Sequence, residues 1–130
     1  MKPTRLFTRF TLAAVLLLLG TLPAFASPSN KWRIQCSEGA KSGGEIVFRF
    51  TPKGGTAFDV TVPVPDGTSE NHVARIVRDT LRQNLDAAKF HVEVDDGEDV
   101  LVKKKGSEPN FDLKVASNTV KAVRIGLAPE

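Results

Sequence analysis

The stretch TSENHVARIVRDTLRQNLDAA, Thr68 to Ala88, decides the fold class. Val73, Ile76, Val77, Thr80, Leu81, Asn84, Leu85 and Ala88 recur within it at three- and four-residue spacing, which predicts one amphipathic helix. Thr68 or Ser69 can cap its start, and Glu70 suits the positive end of the helix dipole. Burying the five larger aliphatic side chains is worth roughly 7–15 kcal/mol gross, at ~1.5–3 kcal/mol each. A stripe of this kind needs a sheet face to cover.

Strands are expected on both sides. Upstream, Trp32, Ile34 and Cys36 alternate with Arg33 and Gln35, and Ile46, Phe48 and Phe50 alternate with Val47 and Arg49. Phe58, Val60 and Val62 form a third alternating run, with Asp59 and Thr61 facing out; Pro63 and Pro65 are expected to end it. Downstream, Phe90, Val92 and Val94 point one way and His91 and Glu93 the other. The Asp96-Gly97 pair then signals a hairpin into Val100–Val102. Phe111, Leu113 and Val115, and finally Val123, Ile125 and Leu127, mark two more strands. The order is βββ-α-ββββ, an α+β domain in which antiparallel sheets carry one amphipathic helix on a face.

The first 26 residues read as an export signal. Lys2, Arg5 and Arg9 precede an apolar run from Leu12 to Leu22, and Ala24-Phe25-Ala26 offers the small-x-small pattern of a cleavage site. The apolar run is well short of the ~20 residues that span a bilayer. The expected organisation is a signal peptide over 1–26, a polar tail over 27–30 and one domain over 31–130. Its expected location is the periplasm or the medium, with no membrane span after cleavage. The leader holds three of the 18 basic residues and none of the 15 acidic ones, so residues 27–130 carry 15 of each. The basic balance of the whole chain is therefore no argument for a nucleic-acid partner. The single Cys36 excludes an internal disulfide, and its alternation with Trp32 and Ile34 reads as a buried, inert thiol.

Few residues suggest chemistry. His72 and His91 lack metal-ligand spacing and a nucleophile partner. Asp95, Asp96, Glu98 and Asp99 surround Gly97 without the cadence of a calcium loop, and read as a solvated hairpin tip. Lys103, Lys104 and Lys105 could contact an anionic partner, but they read first as charges that keep a strand edge soluble. Arg75, Arg78 and Arg82 share a helix face with Asp79 and Asp86, a patch expected to neutralise itself. No catalytic, cofactor or metal residue is assigned and no cofactor is expected. His91, Glu93 and Asp95, alternate residues of one strand face, join the three lysines as candidates for partner contact.

From Phe58 to Ser117 the chain resembles the small internal motif of flagellar hook-associated proteins. The matching residues are Asp59-Val60-Thr61-Val62, Asp66-Gly67-Thr68-Ser69, Val73-Ala74, Ile76, Leu81, Phe90–Val94, Asp96-Gly97, Val100-Leu101-Val102, Phe111 and Leu113. The resemblance implies strand, helix and then a meander of strands, in a module that makes contacts and is not an enzyme. The resulting expectation is a non-enzymatic exported domain that binds a protein or a cell-envelope component. Two alternatives remain. One is a small enzyme or enzyme inhibitor nucleated on His91, Glu93 and Asp95; the other is a binder of envelope polymer or lipid between helix and sheet.

Overall fold

A computed structural model describes residues 27–130; the leader, 1–26, lies outside the described residues. Seven strands and one helix follow in order: β1 Lys31–Ser37, β2 Gly44–Pro52, β3 Phe58–Val64, α1 Glu70–Asn84, β4 Phe90–Asp95, β5 Asp99–Lys104, β6 Phe111–Asn118 and β7 Arg124–Pro129. This is the α+β class and the βββ-α-ββββ order that the periodicities predict.

The strands divide into two antiparallel sheets, ordered β4-β5-β1-β7 and β3-β2-β6. Alternation puts one face of each strand inward. Trp32, Ile34, Cys36, Val92, Val100 and Val102 of the first sheet meet Ile46, Phe48, Phe50, Val60, Val62, Phe111 and Leu113 of the second in one core. At one side β6 and β7 touch; at the other, α1 lies against β3 and β4. The helix closes the gap between two sheet edges and reaches β1 and β5 behind them. Val73, Ala74, Val77 and Leu81 are the residues it buries, with Leu85 following at its C-cap.

The other side of the gap is fastened by a polar seam. The buried Trp32 indole Nε1–H donates to the Phe111 carbonyl at 2.8 Å, joining β1 of one sheet to β6 of the other. The same carbonyl accepts from the Ser29 N–H, while the Phe111 N–H donates to the Ser29 carbonyl, both at 2.9 Å. Ser29 Oγ also donates to the Glu130 carbonyl at 2.8 Å, and Lys104 N–H to the Asn30 carbonyl at 2.9 Å. The segment read as a polar tail is thus tied into the fold at Ser29 and Asn30.

Three sequence expectations are corrected here. Pro63 does not end β3, which runs on to Val64 with Pro63 opposite Glu45. Both backbone groups of Glu45 bond to Thr119, on the side away from β3, so no ladder bond is missing at Pro63. β3 is an edge strand, where proline is tolerated. Phe58 is not a core residue: it is 38% exposed, stacked on buried Phe50 with ring centroids 5.4 Å apart. Ser69 stands at the N-cap, but its side chain makes no capping hydrogen bond.

Cys36 is buried, as its alternation predicts. Desolvation, with nearby Asp99, pushes its thiol up to about 12, so little thiolate forms at neutral pH.

Leu81 is fully buried, whereas Arg75 is exposed on the opposite side of α1. Leu81→Ala is expected to cost ~2–5 kcal/mol in urea unfolding, and Arg75→Ala well under ~1 kcal/mol. Equal losses would show that the helix is buried on a different face.

Candidate functional site

The outward face of the four-stranded sheet gathers several candidates. Register places His91, Lys103 and Lys31 in one row, Glu93, Leu101 and Arg33 in the next, and Asp95, Asp99 and Gln35 in a third. His91 Nε2 lies 3.4 Å from Glu93 Oε2, with both side chains about half exposed. Asp95 does not join them. Its Oδ2 accepts from Arg33 Nη1 at 3.1 Å; Asp99 takes the same nitrogen at 2.8 Å, and Glu130 takes Arg33 Nε at 2.7 Å. Three carboxylates around one guanidinium raise the Arg33 pKa further, so this cation stays permanently charged. The pattern is a structural charge cluster, and the triplet proposed from the strand parity is divided between two partnerships.

Two readings of this region are corrected. Asp99 is not part of a solvated tip: it is 7% exposed, and Oδ1 has no hydrogen-bond partner among the described residues. Register explains this, since Asp99 pairs with both Gln35 of β1 and Asp95 of β4. The lysines do not line a sheet edge either, because β5 sits between β4 and β1. They diverge instead. Lys103 is exposed beside His91, Lys104 Nζ donates to the Gly106 carbonyl at 3.1 Å, and Lys105 Nζ donates to the Ala87 carbonyl at 2.7 Å.

The hairpin signal at Asp96-Gly97 is realised with positive φ at both residues, 51° and 74°. The turn brings Glu98 close to Glu70 in the first turn of α1, so that the two carboxyl groups titrate as a pair. Glu70 also accepts the Glu38 backbone N–H at 2.8 Å. These contacts lower the Glu70 pKa and raise that of Glu98, since the pair favours a single shared proton. Among the described residues, no three His, Cys, Asp or Glu side chains are grouped so that they could hold a metal ion.

A concavity opens elsewhere, where the helix ends. Leu85 N–H closes the last turn on the Leu81 carbonyl; Lys89 and Phe90 N–H both bond the Asp86 carbonyl and swing the chain into β4. Lys53 N–H to the Asn110 carbonyl, at 2.8 Å, holds the β2–β3 turn against the loop before β6. Between them opens a cavity of 360 Å³, floored by Leu85, Phe90 and Phe111 and walled by Pro52, Phe58 and Pro109. Phe50, Phe58, Phe90 and Phe111 form a linked aromatic cluster with centroid distances of 5.3–6.0 Å. A second hollow of 330 Å³ shares Leu85 and Phe90 with the first and is lined also by Arg82, Ala87, His91, Val92 and Lys105.

The cleft is where sequence reasoning fell short. Arg82 was expected in a self-neutralising patch. Arg78 does pair with Asp79 at 2.8 Å, but Arg82 Nε donates to the Val92 carbonyl at 2.8 Å and anchors the helix to the edge of β4. The usable signal lay in Pro52, Pro109 and Phe90, which flank turns and are spared from the regular strand interiors.

No protein-family model, no curated protein and no solved structure matches this chain.

The carboxyl pair supplies a pH test. A raised Glu98 pKa contributes stability that is fully present below the ordinary value of 4.5 and is lost as pH rises through the raised value. The lowered Glu70 pKa contributes stability above 4.5 that is lost as pH falls. Glu98→Gln removes the repulsion that both charges exert near neutrality. It is expected to raise the urea midpoint at pH 7, with a gain that shrinks below pH 4.5. A variant less stable than the parent at pH 7 would contradict the pairing.

Proposed function

We propose that this chain is an exported, non-enzymatic binding domain whose ligand seat is the cleft between the C-terminal end of α1, the start of β4 and the loop before β6. Export is supported by the leader pattern of residues 1–26. The observation that carries the binding reading is Phe58. A strand-parity core residue stays 38% exposed over a 360 Å³ cavity, with three further phenylalanines in the cluster it belongs to. Ligand sites are concave and mostly apolar with a few polar groups, and commonly enclose about 300–1,000 Å³. The seat offers apolar contact and hydrogen bonding. His91 lines the neighbouring hollow, not the aromatic cavity, and its side-chain partner is a single carboxylate, Glu93. A contact-making role is also what the resemblance to the hook-associated motif implies. Among the described residues no helix is long and apolar enough to cross a membrane, which suits a domain that meets its partner through a surface cleft.

The test is binding of phenylnaphthylamine, a neutral apolar probe whose fluorescence rises on leaving water. The purified protein is expected to enhance its emission, and Phe58→Ser to weaken binding by about tenfold, as expected for loss of most of an aromatic contact. Thr61→Ala, on the outward face of the same strand, should leave binding unchanged. Mass spectrometry of the cell-envelope fraction should find a chain beginning at Ser27. Absence of probe binding by a folded protein would overturn the cleft as a ligand seat; a chain retaining residues 1–26 would overturn export.

A further inference from the structure

The cations at the second hollow are unusual in their partners. Arg82 and Lys105 are each held by a neutral backbone carbonyl, Val92 and Ala87 respectively. Among the described residues neither forms an ion pair with a carboxylate. Asp79 feels Arg82 at longer range, but its own hydrogen bond is to Arg78. Carbonyl bonds position a cation without cancelling its charge. They occupy Nε of the guanidinium and one N–H of the ammonium, and leave donors on both groups for a ligand. The residues lining this hollow include no acid, whereas those of the adjoining aromatic cavity include Asp86 and Glu108. Asp86 Oδ1 is occupied by the Ala88 N–H at 2.9 Å. Leu85 and Phe90 line both hollows, so the same two apolar side chains neighbour the uncompensated cations on one side and the cavity of Phe58 on the other.

We propose that the joined hollows form one site for a single-chain anionic amphiphile. Its carboxylate or phosphate head is held by Arg82 and Lys105, and its acyl chain lies over Leu85 and Phe90 into the aromatic cavity. This rests on the reading of the cleft as a ligand seat and adds the chemistry of the ligand. Charge complementarity selects the head: guanidinium and ammonium donors held at fixed points favour an oxyanion, and a cationic head would meet like charge. The apolar floor selects the tail, since burying methylene groups is the main source of affinity for such a ligand.

Competition against bound phenylnaphthylamine tests this. The competitors are dodecanoate, dodecyl phosphate, dodecanol and dodecyltrimethylammonium, all kept below their micellar concentrations. Both anionic amphiphiles are expected to displace the probe at concentrations about tenfold or more below the cationic one, as a charge-assisted hydrogen bond allows. Inorganic phosphate alone should displace nothing, which separates an amphiphile site from a free-phosphate site. In Arg82→Gln with Lys105→Gln, with each competitor compared against that variant's own affinity for the neutral probe, the anionic preference should collapse to within about twofold. Equal displacement by anionic and cationic chains would overturn the proposal, as would a preference that survives the double substitution. Tighter binding of a short peptide ending in a free phenylalanine carboxylate than of dodecanoate would also overturn it and assign the site to peptide termini. Failure of the probe itself to bind would instead remove the underlying cleft reading.

Discussion

The structure depends on one constraint: two sheets with separate hydrogen-bond ladders must be held face to face around a single core. At one flank the Trp32 indole and the Ser29 backbone N–H converge on the carbonyl of Phe111. A buried indole N–H without an acceptor would cost about 1–3 kcal/mol, so this bond sets where β1 can cross β6. The ring of Phe111 is thereby fixed in the core, 5.8 Å from Phe50 and 5.3 Å from Phe90. The seam and the cleft are two sides of one residue: its backbone closes the sheets and its ring floors the cavity.

The helix meets the same constraint at the opposite flank. α1 bridges β3 and β4, and its buried stripe replaces the strand that would otherwise close the roll. The helix ends at Asn84, while β4 starts only at Phe90, and the β2–β3 turn lies across from that gap. The mismatch leaves an opening that no side chain among the described residues fills, with Phe58 at its rim. Arg82 bonding to Val92 also covers one exposed carbonyl on the β4 edge, a place where a bare strand invites unwanted pairing. The residue that protects the edge is thus also a positive charge at the mouth of the cleft.

Much of the architecture was legible because alternation and helical spacing report which face is buried. Val60 and Val62, Val100 and Val102, and Val73, Val77 and Leu81 are all buried as their periods imply. Strand order was not legible. β1 pairs with β5 and β7, whose residues stand more than 60 positions away, and no local pattern encodes such partners. From this follow the errors at the sheet margins. Lys103–Lys105 resemble edge charges until β5 is known to be internal, and Pro63 resembles a stop until β3 is known to be an edge. Phe58 keeps core parity but stands at the first position of β3, where it borders the cavity. Arg82 kept its expected place on the helix surface, and only the position of β4 reveals what it bonds. Parity also grouped His91, Glu93 and Asp95 correctly on one face, but it could not show that Arg33 takes Asp95 away.

The most direct measurement of the central claim is a set of intermolecular nuclear Overhauser contacts between the protein and isotope-labelled dodecanoate. The account requires contacts from the chain methylenes to the rings of Phe58 and Phe90, with the carbon next to the carboxylate close to Arg82 and Lys105. Contacts confined to the outer sheet face around His91 and Glu93, or no contacts at a saturating concentration, would contradict it.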